Sequence, residues 1–167
     1  MRSSSNHLSN FSHSPATYKC PFCSLFESIH NDQPHNLYPD IVFHNNVVAA
    51  VISAHQYSNN LGNTLVIPIT HIENIYTLPL ELATDIVKLT KAVVLSIKQI
   101  WDCDGISIRQ NNESAGGQDV WHYHVHVTPR YENDDFLSSN RELVSEQQRA
   151  EMAYELRFTL EEIWRNT

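Results

Sequence analysis

Histidine recurs at every second position in Trp121-His122-Tyr123-His124-Val125-His126-Val127-Thr128-Pro129-Arg130. Histidine is the side chain that accepts a proton, donates one, ligates a metal or attacks phosphorus near neutral pH. On a β-strand successive side chains point to opposite faces, so the three imidazoles line one face about 6.5–7 Å apart. Tyr123, Val125 and Val127 then face a core. Pro129, with no N–H to give to a ladder, is expected to end the strand. His124 has a histidine on either side, which suits a nucleophile with a proton donor beside it. Before it lies a Gly-rich loop, Asn111-Asn112-Glu113-Ser114-Ala115-Gly116-Gly117-Gln118, whose amides and backbone N–H groups suit phosphate oxygens. Gly116 and Gly117 allow the backbone to turn and approach closely. Taken alone, HxHxH also suits a metal site, and a Gly-Gly loop is weak evidence for phosphate.

A second cluster is Lys19-Cys20-Pro21-Phe22-Cys23. CxxC has three readings: a metal clip, a redox dithiol, or two buried small hydrophobes. No thioredoxin-like βαβ context surrounds it, and a zinc site needs two more ligands, for which the chain offers many histidines.

The elements that must position these groups follow from periodicity. A short helix is expected over Ser24 to His30, and a hairpin over residues 41–53, turning at His44-Asn45-Asn46. His55 to Asn63 reads as a polar loop into a third strand, Thr64-Leu65-Val66-Ile67-Pro68. Leu82, Ile86, Leu89, Val93, Ile97 and Ile100 fall at three- and four-residue steps, which predicts one amphipathic helix from Pro79 to about Trp101. Ile106 to Arg109 is a fourth strand and Trp121 to Thr128 a fifth. Met152, Leu156, Leu160 and Ile163 predict a packing helix from about Ser145 to Trp164. Strands that mostly neighbour in sequence, with one long helix across a connection, imply an α+β fold with a largely antiparallel sheet. Residues 1–17 are expected to be a disordered or docked arm, 18–132 the domain, and 133–167 a C-terminal extension.

Composition limits the partners. The chain has 167 residues, 41 % of them hydrophobic, enough for one domain with a core. A formal charge of −8 with 11 Lys+Arg argues against nucleic acid or an anionic membrane. Apolar runs are too short for a transmembrane span, and the N-terminus lacks the apolar stretch of a signal peptide. Three cysteines make a poor disulfide framework, so a reducing, cytoplasmic setting is expected.

The string from Gly117 to Arg130 resembles the signature of the histidine triad (HIT) family, as do Thr64 to His71 and the helix after them. The similarity runs from about Cys20 to Tyr131. It implies a HIT-like fold with a five-stranded antiparallel sheet, a homodimer, and binding of purine nucleotides or dinucleoside polyphosphates. Members hydrolyse dinucleoside polyphosphates or nucleoside phosphoramidates, or transfer nucleotidyl groups; a nucleotide-binding regulator with weak catalysis is the other reading. By resemblance, His124 attacks the α-phosphorus to give a nucleotidyl-histidine that water hydrolyses, while His126 contacts the phosphate and assists the leaving group. Asn111 contacts ribose and phosphate, and Gly117, Gln118 and Asp119 line the phosphate pocket. Some bacterial members hold a structural zinc through positions that here are Cys20, Cys23, His71 and His122; no organic cofactor is implied. Three departures stand out. Asp119 replaces a Ser or Thr that donates to phosphate, Asn63 replaces a histidine before the third strand, and His55 falls near where an acid holds the ribose.

Overall fold

The computed structural model describes residues 12–30 and 39–167. Helix α1 (Pro21–His30) leads to strands β1 (Ile41–His44), β2 (Val48–Ile52), β3 (His55–Tyr57) and β4 (Thr64–Pro68). Helix α2 (Leu80–Ile100), β5 (Gly105–Gln110), β6 (Val125–Arg130), β7 (Arg141–Leu143) and α3 (Glu146–Arg165) follow. Five strands form one antiparallel sheet in the order β1-β2-β4-β6-β5, and β3 pairs with β7 in a second, two-stranded sheet. The expected α+β class, five-stranded sheet, long helix and C-terminal helix are all present.

Side-chain alternation gives the sheet two covered faces, which is why β2 and β4 are buried at every position. Val48, Ala50, Ile52, Val66, Tyr123, Val125 and Val127 join Ile86, Leu89, Val93 and Ile97 of α2 and Leu156 and Leu160 of α3 in the main core. On the other face Ala49, Val51, Leu65 and Ile67 pack with Phe26 of α1. The even-numbered triad residues therefore lie on the α1 face. Helix α2 is entered through Pro79 and closes at Trp101, whose ring lies over Gly62; a Cβ there would meet it at 2.3 Å, and φ of +102° independently favours glycine. Helix α3 begins with a capping box between Ser145 and Gln148.

Two expectations need correction. The triad strand begins at Val125: Trp121 and His122 lie in a bend, and the Tyr123 N–H donates to the Ile72 carbonyl outside the sheet. It also runs through Pro129, which sits opposite Ile106 of β5. Strand β4 starts at Thr64, opposite Val127, so nothing on that side requires a donor from residue 129. The buried amide of Asn60 takes the Pro129 carbonyl at 3.0 Å instead. The expected polar loop at His55 contains β3; its partner β7 is three exposed residues, too short to be seen by alternation.

Residues 1–11 of the expected arm lie outside the described residues. The remainder is docked: Ser12 Oγ donates to Glu73 at 2.8 Å, and the His13 N–H donates to the same carboxylate. Among the described residues no helix is long and apolar enough to cross a membrane.

Candidate active site and metal centre

The three triad imidazoles are buried, at 0 %, 4 % and 5 % exposure for His122, His124 and His126. Phe22, delivered by α1, packs edge-on against the rings of His122 and His124 at 5.7 and 5.5 Å. His124 and His126 lie 4.9 Å apart, centroid to centroid. Burial disfavours the charged form, pushing His122 down to about 4 and His126 down to about 3, and lowering His124 as well. All three are therefore neutral at pH 7, and their tautomers are set by what each ring touches.

The ring assignments differ in a way that matters. His124 Nδ1 lies 2.7 Å from the His122 carbonyl, which only accepts, so Nδ1 carries the proton and Nε2 keeps its lone pair. His126 faces the other kind of partner. Thr128 Oγ1 donates to Asn63 Oδ1 at 3.1 Å, which turns the Asn63 NH2 group towards His126 Nδ1 at 3.4 Å. Nδ1 of His126 thus accepts, and its proton sits on Nε2. One histidine presents a lone pair and its neighbour a donor. Gln56 fixes the segment carrying Asn63: its Oε1 accepts from the Gly62 and Asn63 N–H groups, and its Nε2 donates to the Asn63 carbonyl.

His122 is turned towards the cysteines. Its Nε2 donates to the Pro68 carbonyl at 2.9 Å, leaving Nδ1 free to face Cys20 Sγ at 3.3 Å and Cys23 Sγ at 3.7 Å. His71 Nδ1 lies 3.2 Å from Cys23 Sγ. The four ligand atoms lie within 4.8 Å of one another. Ligands held tetrahedrally by zinc at ~2.0–2.3 Å are themselves ~3.3–3.8 Å apart; the three sulfur–nitrogen pairs at 3.2–3.7 Å are near that range, and the widest pair would close by up to about 1 Å around the ion. In the protein alone, burial and the neighbouring Cys20 push the Cys23 thiol up to about 12; a cation between the sulfurs is what would favour thiolates. Pro21 opens α1, and the Cys23 N–H points to Cys20 Sγ at 3.4 Å, which closes the CxxC turn. Two cysteines, His71 beyond β4 and His122 before β6 thereby tie three distant segments together.

The Gly-rich loop divides its labour. Gly117 adopts φ of +84°, and Asn111 Nδ2 donates to its carbonyl at 3.3 Å. Gln118 is buried and braces the loop: its Oε1 accepts from the Glu113 N–H, while Nε2 donates to the Glu73 and Val120 carbonyls. The geometry thus brings Asn111 and Gly117 together at the exposed rim and keeps the Gln118 amide within the loop.

Asp119 is paired with Arg141 of β7, Nη2 to Oδ2, at 3.1 Å. Burial pushes its carboxyl up, but the charge and hydrogen bond of Arg141 outweigh this and hold it below the usual range. With side chains 36 % and 53 % exposed, such a pair contributes at most about 1 kcal/mol. Arg141 stands opposite Tyr57 of β3, whose hydroxyl accepts from Arg109 Nη2 at 2.7 Å. Arg109 in turn stands opposite His126, on the same sheet face. Phe136 is clasped between the guanidinium groups of Arg109 and Arg130, at 4.8 and 4.1 Å. His55, by contrast, is exposed on β3 opposite Leu143. Arg109, Arg141 and the ordering role of Asn63 were not legible as site features. The departure at Asp119 was legible, but not the pairing with Arg141 that accompanies it.

Comparison with known proteins agrees with this construction. A HIT domain sequence profile matches residues 35–133. The protein named Protein hit of Bacillus subtilis is 40 % identical over 74 residues, covering 44 % of this chain and about half, 51 %, of its own length. The crystal structure of a hypothetical histidine triad nucleotide-binding protein from Sulfolobus tokodaii superposes with a TM-score of 0.69 and 28 % identity, over 86 % of this chain and 93 % of that one. A zinc-bound histidine triad family protein from Mycobacterium smegmatis gives 0.68 and 25 %, over 89 % and 98 %. The profile covers more than half of the chain and the likeness extends to the shape of the whole fold, so the chain belongs to the HIT family.

Proposed function

We propose that the protein is a nucleotide hydrolase that cleaves at the α-phosphate of dinucleoside polyphosphates or nucleoside phosphoramidates. The observation that carries this reading is the opposite tautomer of the two neighbouring rings. His124 Nε2, with its lone pair free, attacks the α-phosphorus and forms a nucleotidyl-histidine; the leaving group departs with the bonding electron pair. His126 Nε2–H stands beside it to hydrogen-bond the phosphate or protonate the leaving atom. Water then attacks phosphorus, and His124 is released. Asn111, at the rim beside Gly117, supports binding of ribose and phosphate oxygens, while the N–H groups of Gly116, Gly117 and Gln118 bond to carbonyls within the loop.

Cys20, Cys23, His71 and His122 would hold one zinc ion. Four protein ligands would leave no open position, so the metal would supply a cross-link, its charge balanced by two thiolates, and would take no part in bond-making. The site's free thiols suit a reducing cytoplasm. Strand β5 is an edge of the sheet and carries Ile108 at 56 % exposure, which supports pairing of two copies into a homodimer.

The test is AMP release from diadenosine polyphosphates and from adenosine phosphoramidate, for wild type and His124→Ala, with and without inorganic phosphate. Release that vanishes in His124→Ala supports the hydrolase. Release that depends on phosphate would make the protein a nucleotidyltransferase. Equal inactivity with retained AMP binding would leave a nucleotide-binding protein.

A further inference from the structure

Two cations converge on the triad side of the sheet without belonging to the triad. Arg109 shares a sheet face with His126, and among the described residues no carboxylate lies within ion-pair distance of it. Its Nε is buried with no hydrogen-bond partner there. Arg141 arrives from the C-terminal segment through the pairing of β7 with β3. It meets Asp119 through one guanidinium nitrogen only, so its remaining N–H donors are available to another anion. Asp119 lies between the Gly-rich loop and the triad, and Tyr57, opposite Arg141, bonds Arg109 beside His126, so both contacts hold Arg141 on the triad side.

We propose that Arg141 holds the phosphate beyond the scissile one, and so makes the site select substrates whose leaving group is a nucleoside di- or polyphosphate over those whose leaving group is an amine. This deepens the hydrolase reading and rests on it. As His124 Nε2 bonds to the α-phosphorus, the P–O bond to the bridging oxygen breaks. That oxygen leaves with the electron pair as a terminal phosphate oxygen, adding negative charge on the leaving side. An amine leaving group carries no such charge. Asp119 keeps Arg141 in place and offsets its charge before substrate enters. The pair is exposed and singly bonded, so a phosphate takes Arg141 over with little loss, and a guanidinium matches phosphate oxygens bidentately. Arg109, with its Nε unmatched, lends a second positive charge on the same face.

Two measurements test this separately from turnover. The first is titration of AMP and of ATP into the His124→Ala protein, with Arg141 intact, Arg141→Gln or Arg141→Lys. The ratio of ATP to AMP affinity should fall about 10-fold with Gln, and less with Lys, and should weaken with added salt. Asp119→Asn, which frees Arg141, should raise the ratio and serves if Arg141→Gln fails to fold. A ratio unchanged in both variants, or moved the same way by both, overturns the proposal. The second is the kcat/KM ratio of diadenosine tetraphosphate to adenosine phosphoramidate, which should drop about 10-fold in Arg141→Gln. Wild type inactive on both substrates would refute the hydrolase reading, while the binding ratio would still decide the role of Arg141.

Discussion

Asn63 Nδ2 lies 3.4 Å from Nδ1 of His126, and this contact puts the His126 proton on Nε2, the nitrogen away from Asn63. The amide is held in that sense by Thr128, and its backbone by Gln56, so the ring cannot exchange tautomers without breaking a buried network.

Asn63→Asp replaces the donor with an acceptor and should place the His126 proton on Nδ1. Turnover is expected to fall on the order of 100-fold, the lower range for a lost proton donor, with nucleotide affinity changed far less. Asn63→His, which restores a ring donor, should recover much of the rate. Steady-state kinetics of the three proteins at one pH checks this; equal rates for Asn63→Asp and wild type would remove Asn63 from the account.

Metal analysis should find one zinc per chain. Removing it with a chelator, or substituting Cys20→Ser, should lower stability by about 3 kcal/mol or more, roughly 6–12 °C in Tm for a chain of this length. His71→Ala should behave likewise, although it lies far along the chain from the CxxC. Chelation that leaves Tm unmoved would show that the cluster is not a structural metal site.

The pH dependence of stability has a definite sign. His126 has an ordinary value of 6.5 and is pushed down to about 3 by burial, so between these values the unfolded chain binds a proton that the folded chain refuses. Its contribution is fully present above pH 6.5 and is lost as pH falls towards 3, at up to about 1.4 kcal/mol per pH unit. Urea unfolding at pH 7, 6 and 5 should therefore show falling stability, and His126→Gln should flatten the slope. An identical slope in the variant would contradict the burial of a neutral ring.

The fold was legible where periodicity carried it. Ile86, Leu89, Val93 and Ile97 announced α2, and Tyr123, Val125 and Val127 face the main core as alternation requires. The metal cluster was legible only through family resemblance, because Cys20, His71 and His122 are separated by up to 102 residues and no local rule joins them. What alternation could not reveal was anything made by short or irregular pieces. Strand β7 is three exposed residues, yet it delivers Arg141 to Asp119. Pro129 misled for a related reason: whether a missing N–H matters depends on how far β4 extends, which residue 129 itself does not encode. Resemblance puts Gln118 in the loop that lines the phosphate pocket; that its amide bonds three backbone groups, of that loop and of Glu73, could not be read from the sequence.

In the proposed mechanism His124 Nε2 is the nucleophile. Rapid acid-free quenching of wild type with a diadenosine polyphosphate, followed by intact and peptide mass analysis, tests it most directly. Wild type should give a transient adduct of one nucleoside monophosphate on the peptide carrying His124, absent from His124→Ala, and longer-lived at high pH where phosphohistidine-type bonds persist. Turnover by His124→Ala, or an adduct on any other residue, would contradict it.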